Sequence, residues 1–294
     1  MTSPLPRGIW VPLVTPFTGP SADTVDHAGL ARLVAALREG GIAGFVVCGS
    51  TGEAATLDEE EQRSVLETVL ASAHGLPVVM GVGGVATRAV REQLLHWAQW
   101  PLAGFLVSAP SYVKPAQAGI EAHFMSLADA SPLPLLLYDV PGRTGVRIET
   151  ATMLSLAGHP RIVGVKDCSG DPDHLQALLS DGRLAVYCGD DHRIFASLCL
   201  GAAGAVAASA HLHPRRFAEV QRLVDEGRLA HARAAWQTLW PLTTAAFAEP
   251  NPAPLKAALA PVHGLSDVLR APMTAAGELT RARMAQALEG LSRP

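Results

Sequence analysis

Eight short apolar segments recur along the chain, each followed by a longer stretch in which apolar residues fall three and four apart. The segments are 9–14, 44–48, 77–82, 103–108, 133–138, 161–166, 184–188 and 204–207. Each is bounded by Gly, Pro, Asp or Ser and is continuously apolar, as strands covered on both faces of a parallel sheet are. Between them the helical period is plain. Residues 26–39 carry Leu30, Leu33, Val34 and Leu37, and residues 58–73 carry Val65, Leu66, Val69 and Leu70, with Asp58 and Glu61 spaced as a capping box. Eight strand–helix units in succession predict a (β/α)₈ TIM barrel. A length of 294 residues suits that fold, although it would also allow two smaller domains. An open doubly wound sheet is the alternative, but eight consecutive units are long for it. Gly81-Val82-Gly83-Gly84 also lacks the third glycine and the acidic partner of a dinucleotide fingerprint. Strand signals stop near residue 225, and 228–248, 252–260 and 277–291 read as helices. The expected organisation is therefore a barrel over 1–225 and a C-terminal helical extension over 226–294.

Composition removes several function classes. A net charge of −4, a pI near 6.2 and 5% aromatic residues give neither a basic surface nor stacking platforms for nucleic acid. No apolar run approaches the roughly 20 residues of a membrane span, and the N-terminal residues show no signal-like apolar core. A cytoplasmic protein is expected, with Cys48, Cys168, Cys188 and Cys199 as reduced thiols, because their spacing fits neither a disulfide framework nor a CxxC motif.

The chain is rich in arginine but holds only three lysines, Lys114, Lys166 and Lys256. An amine that does covalent chemistry must be one of these, since arginine keeps its proton. Lys166 ends the apolar segment 161–166, and active sites of parallel barrels lie at the carboxyl ends of the strands. Period-two alternation puts Ile162, Gly164 and Lys166 on one face, so Lys166 points into the barrel mouth with Gly164 leaving space below it. Burial there would lower the pKa of the amine and make it a nucleophile; the competing reading is a strand-end lysine whose head reaches solvent. Other strand ends add to the case. Gly49-Ser50-Thr51-Gly52-Glu53 sets two hydroxyls between two glycines, where hydroxyls and backbone amides can converge on a carboxylate, or simply form a polar turn. Tyr138 ends another segment, and Tyr112 lies just beyond a third. His211, His213 and the run Asp190-Asp191-His192 offer no third convergent ligand, so no metal is expected.

These motifs together resemble the pyruvate-dependent class I aldolase family that includes dihydrodipicolinate synthase and N-acetylneuraminate lyase. The resemblance runs from Val14-Thr15-Pro16-Phe17 to Leu269-Arg270-Ala271-Pro272-Met273 through GSTGE at 49–53, YDVPGRTG at 138–145, GVKDCSG at 164–170 and NPAPLK at 251–256. It implies that Lys166 forms an imine with pyruvate and that Tyr138 moves protons during imine and carbon–carbon bond formation. Ser50 and Tyr112 would complete a hydroxyl relay, and Thr51 with the backbone at Val206 would hold the pyruvate carboxylate. Arg143 marks the synthase branch, in which an arginine holds the carboxylate of an aldehyde co-substrate, aspartate semialdehyde. No cofactor is implied, because the lysine is the electron sink. The assembly implied is a homotetramer of tight dimers, with Tyr112 entering the neighbour's site. Ser50 stands where the synthases usually have threonine, a pattern shared with the lyases, and Ser111 where a tyrosine usually precedes the relay tyrosine. The rival activities are a sugar-acid lyase of the same family, a metal-dependent aldolase or hydrolase, and a pyruvate-binding regulator without catalysis. Glu59, Gln62, Val85, Ala89 and Ser111 replace the polar and aromatic partners that lysine finds in feedback-inhibited members, so insensitivity to lysine is expected.

Overall fold

The computed structural model describes residues 5–292. Ten strands form: β1 (Gly8–Pro12), β2 (Phe17–Thr18), β3 (Thr24–Val25), β4 (Gly44–Val47), β5 (Val78–Val82), β6 (Gly104–Ser108), β7 (Leu135–Asp139), β8 (Ile162–Asp167), β9 (Ala185–Cys188) and β10 (Gly204–Val206). Eight close into a barrel in the order β1-β10-β9-β8-β7-β6-β5-β4, and β2 and β3 pair as a small antiparallel ribbon. The barrel strands fall on the eight apolar segments of the sequence, with ends trimmed or shifted by a residue or two; β1 begins one residue earlier, at Gly8, and β7 and β8 run one residue further, to Asp139 and Asp167. The ribbon was not anticipated: two residues per strand are too few to show a period. No described helix is long and apolar enough to cross a membrane.

The chain divides into two compact units. Among the described residues the first holds Pro77–Val206 together with residues 5–7, and so carries β5 to β10. Val79, Met80, Phe105, Val107, Leu135, Leu137 and Val165 are wholly buried in it. Tyr187 on β9 is buried as well, and its hydroxyl donates to the carbonyls of Leu5 (2.9 Å) and Pro6 (3.0 Å). Between β7 and β8 the register advances from Leu135↔Ile162 to Leu136↔Gly164, which leaves Val163 as the extra residue of a bulge. The strict alternation expected along 162–166 therefore holds only from Gly164 onward.

The second unit holds Gly8–Leu76 and residues 207–292. β1 and β4 pair in parallel, with Val11 opposite Phe45. The helix His27–Arg38 buries Leu30, Leu33, Val34 and Leu37, as its spacing predicts. The helix Glu59–Ala73 begins at Asp58, whose side chain accepts from the Glu61 N–H while Glu61 accepts from the Asp58 N–H, so the capping box is complete. Beyond residue 225 lie the helices Leu229–Ala246, Ala253–His263 and Glu278–Ser292.

Candidate active site

Within the first unit, Ser108, Tyr138 and Lys166 stand in one row across the ends of β6, β7 and β8, each in register with the next. The ladder continues past the strands: Cys168 N–H donates to Asp139 O and Gly189 N–H to Asp167 O, both at 2.8 Å. Those bonds fix the backbone on either side of Lys166. The lysine is buried at 5% exposure, and its Nζ lies 4.3 Å from the centre of the Tyr138 ring. These two of the expected site residues lie side by side.

Two details of that reading are corrected. A Cβ on Gly164 would meet the Ala185 carbonyl oxygen at 2.4 Å and Leu136 Cδ1 at 2.9 Å. Gly164 thus allows close approach of β9 and leaves no space beneath the lysine. The residue that makes room is Gly189, where a Cβ would fall 2.7 Å from both Cγ and Cε of Lys166 and 2.5 Å from Cys168 Sγ. The second correction concerns charge. Burial alone would push the Lys166 ammonium down, but the fields of Tyr138, Cys168 and Asp191 and a hydrogen bond to Tyr138 oppose it and hold the group above an ordinary lysine. Asp191, buried after β9, was read from the sequence only as part of a polar cluster. Burial raises the Cys168 thiol to about 12, and the neighbouring Lys166 charge opposes that rise.

The other candidates of this unit lie on loops. Tyr112 is 90% exposed and has φ of 70°, a conformation that a bulky residue adopts only under constraint. Its N–H donates to the Thr144 carbonyl (3.3 Å), which ties the Tyr112 loop to the short helix Pro141–Thr144. That helix directly follows β7 and carries Arg143, exposed at its third position. Val206 ends β10, fully buried.

The second unit holds the glycine-flanked hydroxyls. Ser50–Gly52 form a single tight turn after β4, with Ser50 half-buried and Thr51 buried. Gly52 is needed for space, since a Cβ there would lie 3.0 Å from the Leu13 carbonyl. Glu53 follows at φ 54°, in the left-handed region. Its buried carboxylate pairs with buried Lys256 and accepts from the Arg270 N–H (3.1 Å). Lys256 also donates to Val268 O (3.0 Å) and lies over the Phe17 ring. Burial lowers its pKa, against the pull of Glu53.

The histidine His211 is structural. Its Nε2 accepts from the Val14 N–H (3.2 Å) and its Nδ1 donates to Ala208 O (2.7 Å), while burial pushes its pKa down to about 4. A different group was missed altogether. Asp139 and Asp167 follow Tyr138 and Lys166, are in register, and face away from them. Together with His174 they bring one potential ligand atom each within 4.8 Å of one another. Strand register, invisible in a linear sequence, pairs the two aspartates, and the helix Pro172–Asp181 adds His174.

Comparison with known proteins decides the family. The model of the Dihydrodipicolinate synthetase family matches residues 5–291. The chain belongs to that family. A 4-hydroxy-tetrahydrodipicolinate synthase of Sorangium cellulosum is 40% identical over 97% of this chain and 95% of its own. Among solved structures, the family member from Thermotoga maritima superposes with a TM-score of 0.94 at 30% identity, covering 97% of this chain and 98% of its own. The chloride-inhibited dihydrodipicolinate synthase of Acinetobacter baumannii, solved with pyruvate, gives 0.93 at 34% identity, with the same coverage.

Proposed function

We propose that the chain condenses pyruvate with L-aspartate 4-semialdehyde to 4-hydroxy-tetrahydrodipicolinate through a Schiff base on Lys166, as a step toward diaminopimelate and lysine. The observation that carries this reading is the buried Lys166–Tyr138 pair, in a chain whose other two amines are unsuited. Lys256 is committed to Glu53, and Lys114 is exposed on a loop. The synthase names of its full-length relatives favour this acceptor over a sugar acid, and favour catalysis over a purely regulatory role.

The raised pKa of Lys166 shapes the first step. The ammonium gives its proton to the Tyr138 oxygen while the phenol proton passes along the relay of Ser50 and Tyr112. The free amine adds to C2 of pyruvate. The resulting carbinolamine loses water as Tyr138 returns a proton, and an iminium remains. Loss of a C3 proton gives the enamine, which attacks the aldehyde carbon. The amino group of the bound semialdehyde then closes onto the imine carbon and expels the Lys166 amine, so one water leaves per turnover. Thr51 and the backbone at Val206 serve the pyruvate carboxylate. Arg143 serves the carboxylate of the second substrate, for which a guanidinium fork is well shaped. The family resemblance implies a dimer of dimers, and the exposure and constrained backbone of Tyr112 support a homo-oligomer in which this ring enters the site of a neighbouring copy.

Borohydride reduction in the presence of pyruvate tests the reading. A stable adduct is expected on the peptide containing Lys166 and none in Lys166→Arg. An adduct on Lys114 or Lys256 instead, or no adduct in the parent protein, would refute it.

A further inference from the structure

The hydroxyl of Thr51 is buried, and its Oγ1 lies 2.9 Å from Nδ2 of Asn251, two hundred residues away along the chain. A hydroxyl carries one hydrogen and two acceptor lone pairs, whereas an amide nitrogen only donates. In this pair Asn251 must therefore be the donor and Thr51 the acceptor. The threonine proton is left over, and among the described residues it meets no acceptor. A buried hydroxyl without an acceptor is costly, and an anionic oxygen arriving from outside the chain would remove the cost.

The surrounding bonds hold this arrangement in place. The turn is fastened residue by residue: Asn251 bonds Thr51, Thr15 Oγ1 donates to Gly52 O at 2.7 Å, and Lys256 pairs with Glu53. Asn251 and Lys256 flank the start of the helix Ala253–His263, so one segment grips the turn at two points. Donation by the amide also polarises the threonine O–H and strengthens it as a donor.

We propose that Asn251 is a positioning and specificity-determining residue: by donating to one lone pair of Thr51, it turns the hydroxyl proton away from itself and toward a substrate carboxylate. The role rests on the reading of Thr51 as a ligand of pyruvate. It makes the site select 2-oxo acids over neutral methyl ketones through a residue that need not touch the substrate.

Steady-state kinetics on the full chain, with borohydride trapping of pyruvate and of uncharged pyruvamide, test the role. Asn251→Ala should raise the KM for pyruvate about two- to tenfold, the range for a neutral hydrogen bond that orients the donor to the carboxylate. It should change kcat and pyruvamide trapping little. Asn251→Asp, of the same size, should lose at least as much, because its carboxylate takes the Thr51 proton. In a Thr51→Val background Asn251→Ala should add nothing further. An equal additional loss in that background, or equal loss with pyruvamide, overturns the role of Asn251 while leaving Thr51 as a ligand. An unchanged KM in Thr51→Val overturns the carboxylate reading of Thr51 and the inference with it, and absence of any pyruvate adduct in the parent protein overturns the Schiff-base function itself. If Asn251→Ala fails to fold, the Asp variant decides: wild-type pyruvate KM there refutes the proposal.

Discussion

Asp139 ends β7 wholly buried and in register with Asp167 on β8, so two carboxyl groups stand side by side on one face. Burial raises the Asp139 pKa from 3.8 to about 6; the Ile148 N–H at 3.1 Å pulls it down, the Asp167 charge adds to the rise, and Arg147 lowers it. A folded-state pKa above the unfolded value means that the native chain binds the extra proton. Stability is then lost as pH rises from about 4 through 6, and the full penalty is present above 6. Holding that charge in the folded chain costs about 3 kcal/mol above pH 6. Asp139→Asn removes the ionisation yet keeps Oδ1 to accept from Ile148. The new amide can also donate to Asp167. The variant should gain about 1 kcal/mol at pH 4.5 and up to about 3 kcal/mol at pH 7.5, the latter roughly 5 °C in Tm for a chain of this size. Thermal and urea unfolding of both proteins at the two pH values, at one fixed protein concentration, would measure it. A gap that does not grow with pH, or an Asn variant less stable at pH 7.5, refutes the reasoning. It would mean that something in the native protein, such as a cation held with Asp167 and His174, stabilises the charged carboxylate.

Three further outcomes are expected. Lys256→Met should cost about 3–5 kcal/mol, because it strands the buried Glu53 carboxylate, and Glu53→Gln in the same chain should recover part of the loss in urea midpoints. Arg143→Ala should lower kcat/KM for aspartate semialdehyde about ten- to a hundredfold while leaving pyruvate trapping intact; an unchanged value would remove Arg143 from the second-substrate site. Millimolar lysine should leave the rate unchanged at subsaturating pyruvate. Val85 is exposed and apolar, and Gln62 spends its amide on the carbonyls of Ala54 and Leu57, both at 3.2 Å; partial inhibition with calorimetric binding would contradict this.

The sequence made most of the barrel legible because its strands are buried on both faces and read as uninterrupted apolar runs. The same property hides register. Neither the Val163 bulge nor the Asp139–Asp167 pairing can be read from a segment alone, since each depends on what the neighbouring strand places opposite. The candidate site was legible as residues at strand ends. It was not legible as fields or volumes: the pKa of Lys166 follows from groups on three segments, and the glycine that gives it room is Gly189, beside it in space, rather than Gly164, beneath it in the strand. The pairing of Glu53 with Lys256 left only a faint trace, a lysine set in a motif whose chemistry gave it no task.

Of three lysine side chains, one is sealed beside Tyr138, one is locked against Glu53, and only Lys114 faces solvent. An amine-directed reagent thus meets a single lysine on the outside of the folded chain. Attachment to a dye or a support through that lysine, in a chain whose α-amino group is blocked, gives one defined orientation, and it places the tether two residues from Tyr112. Loss of turnover on tethering, with the imine still trappable inside, would report on the exposed ring and leave the buried amine uninvolved.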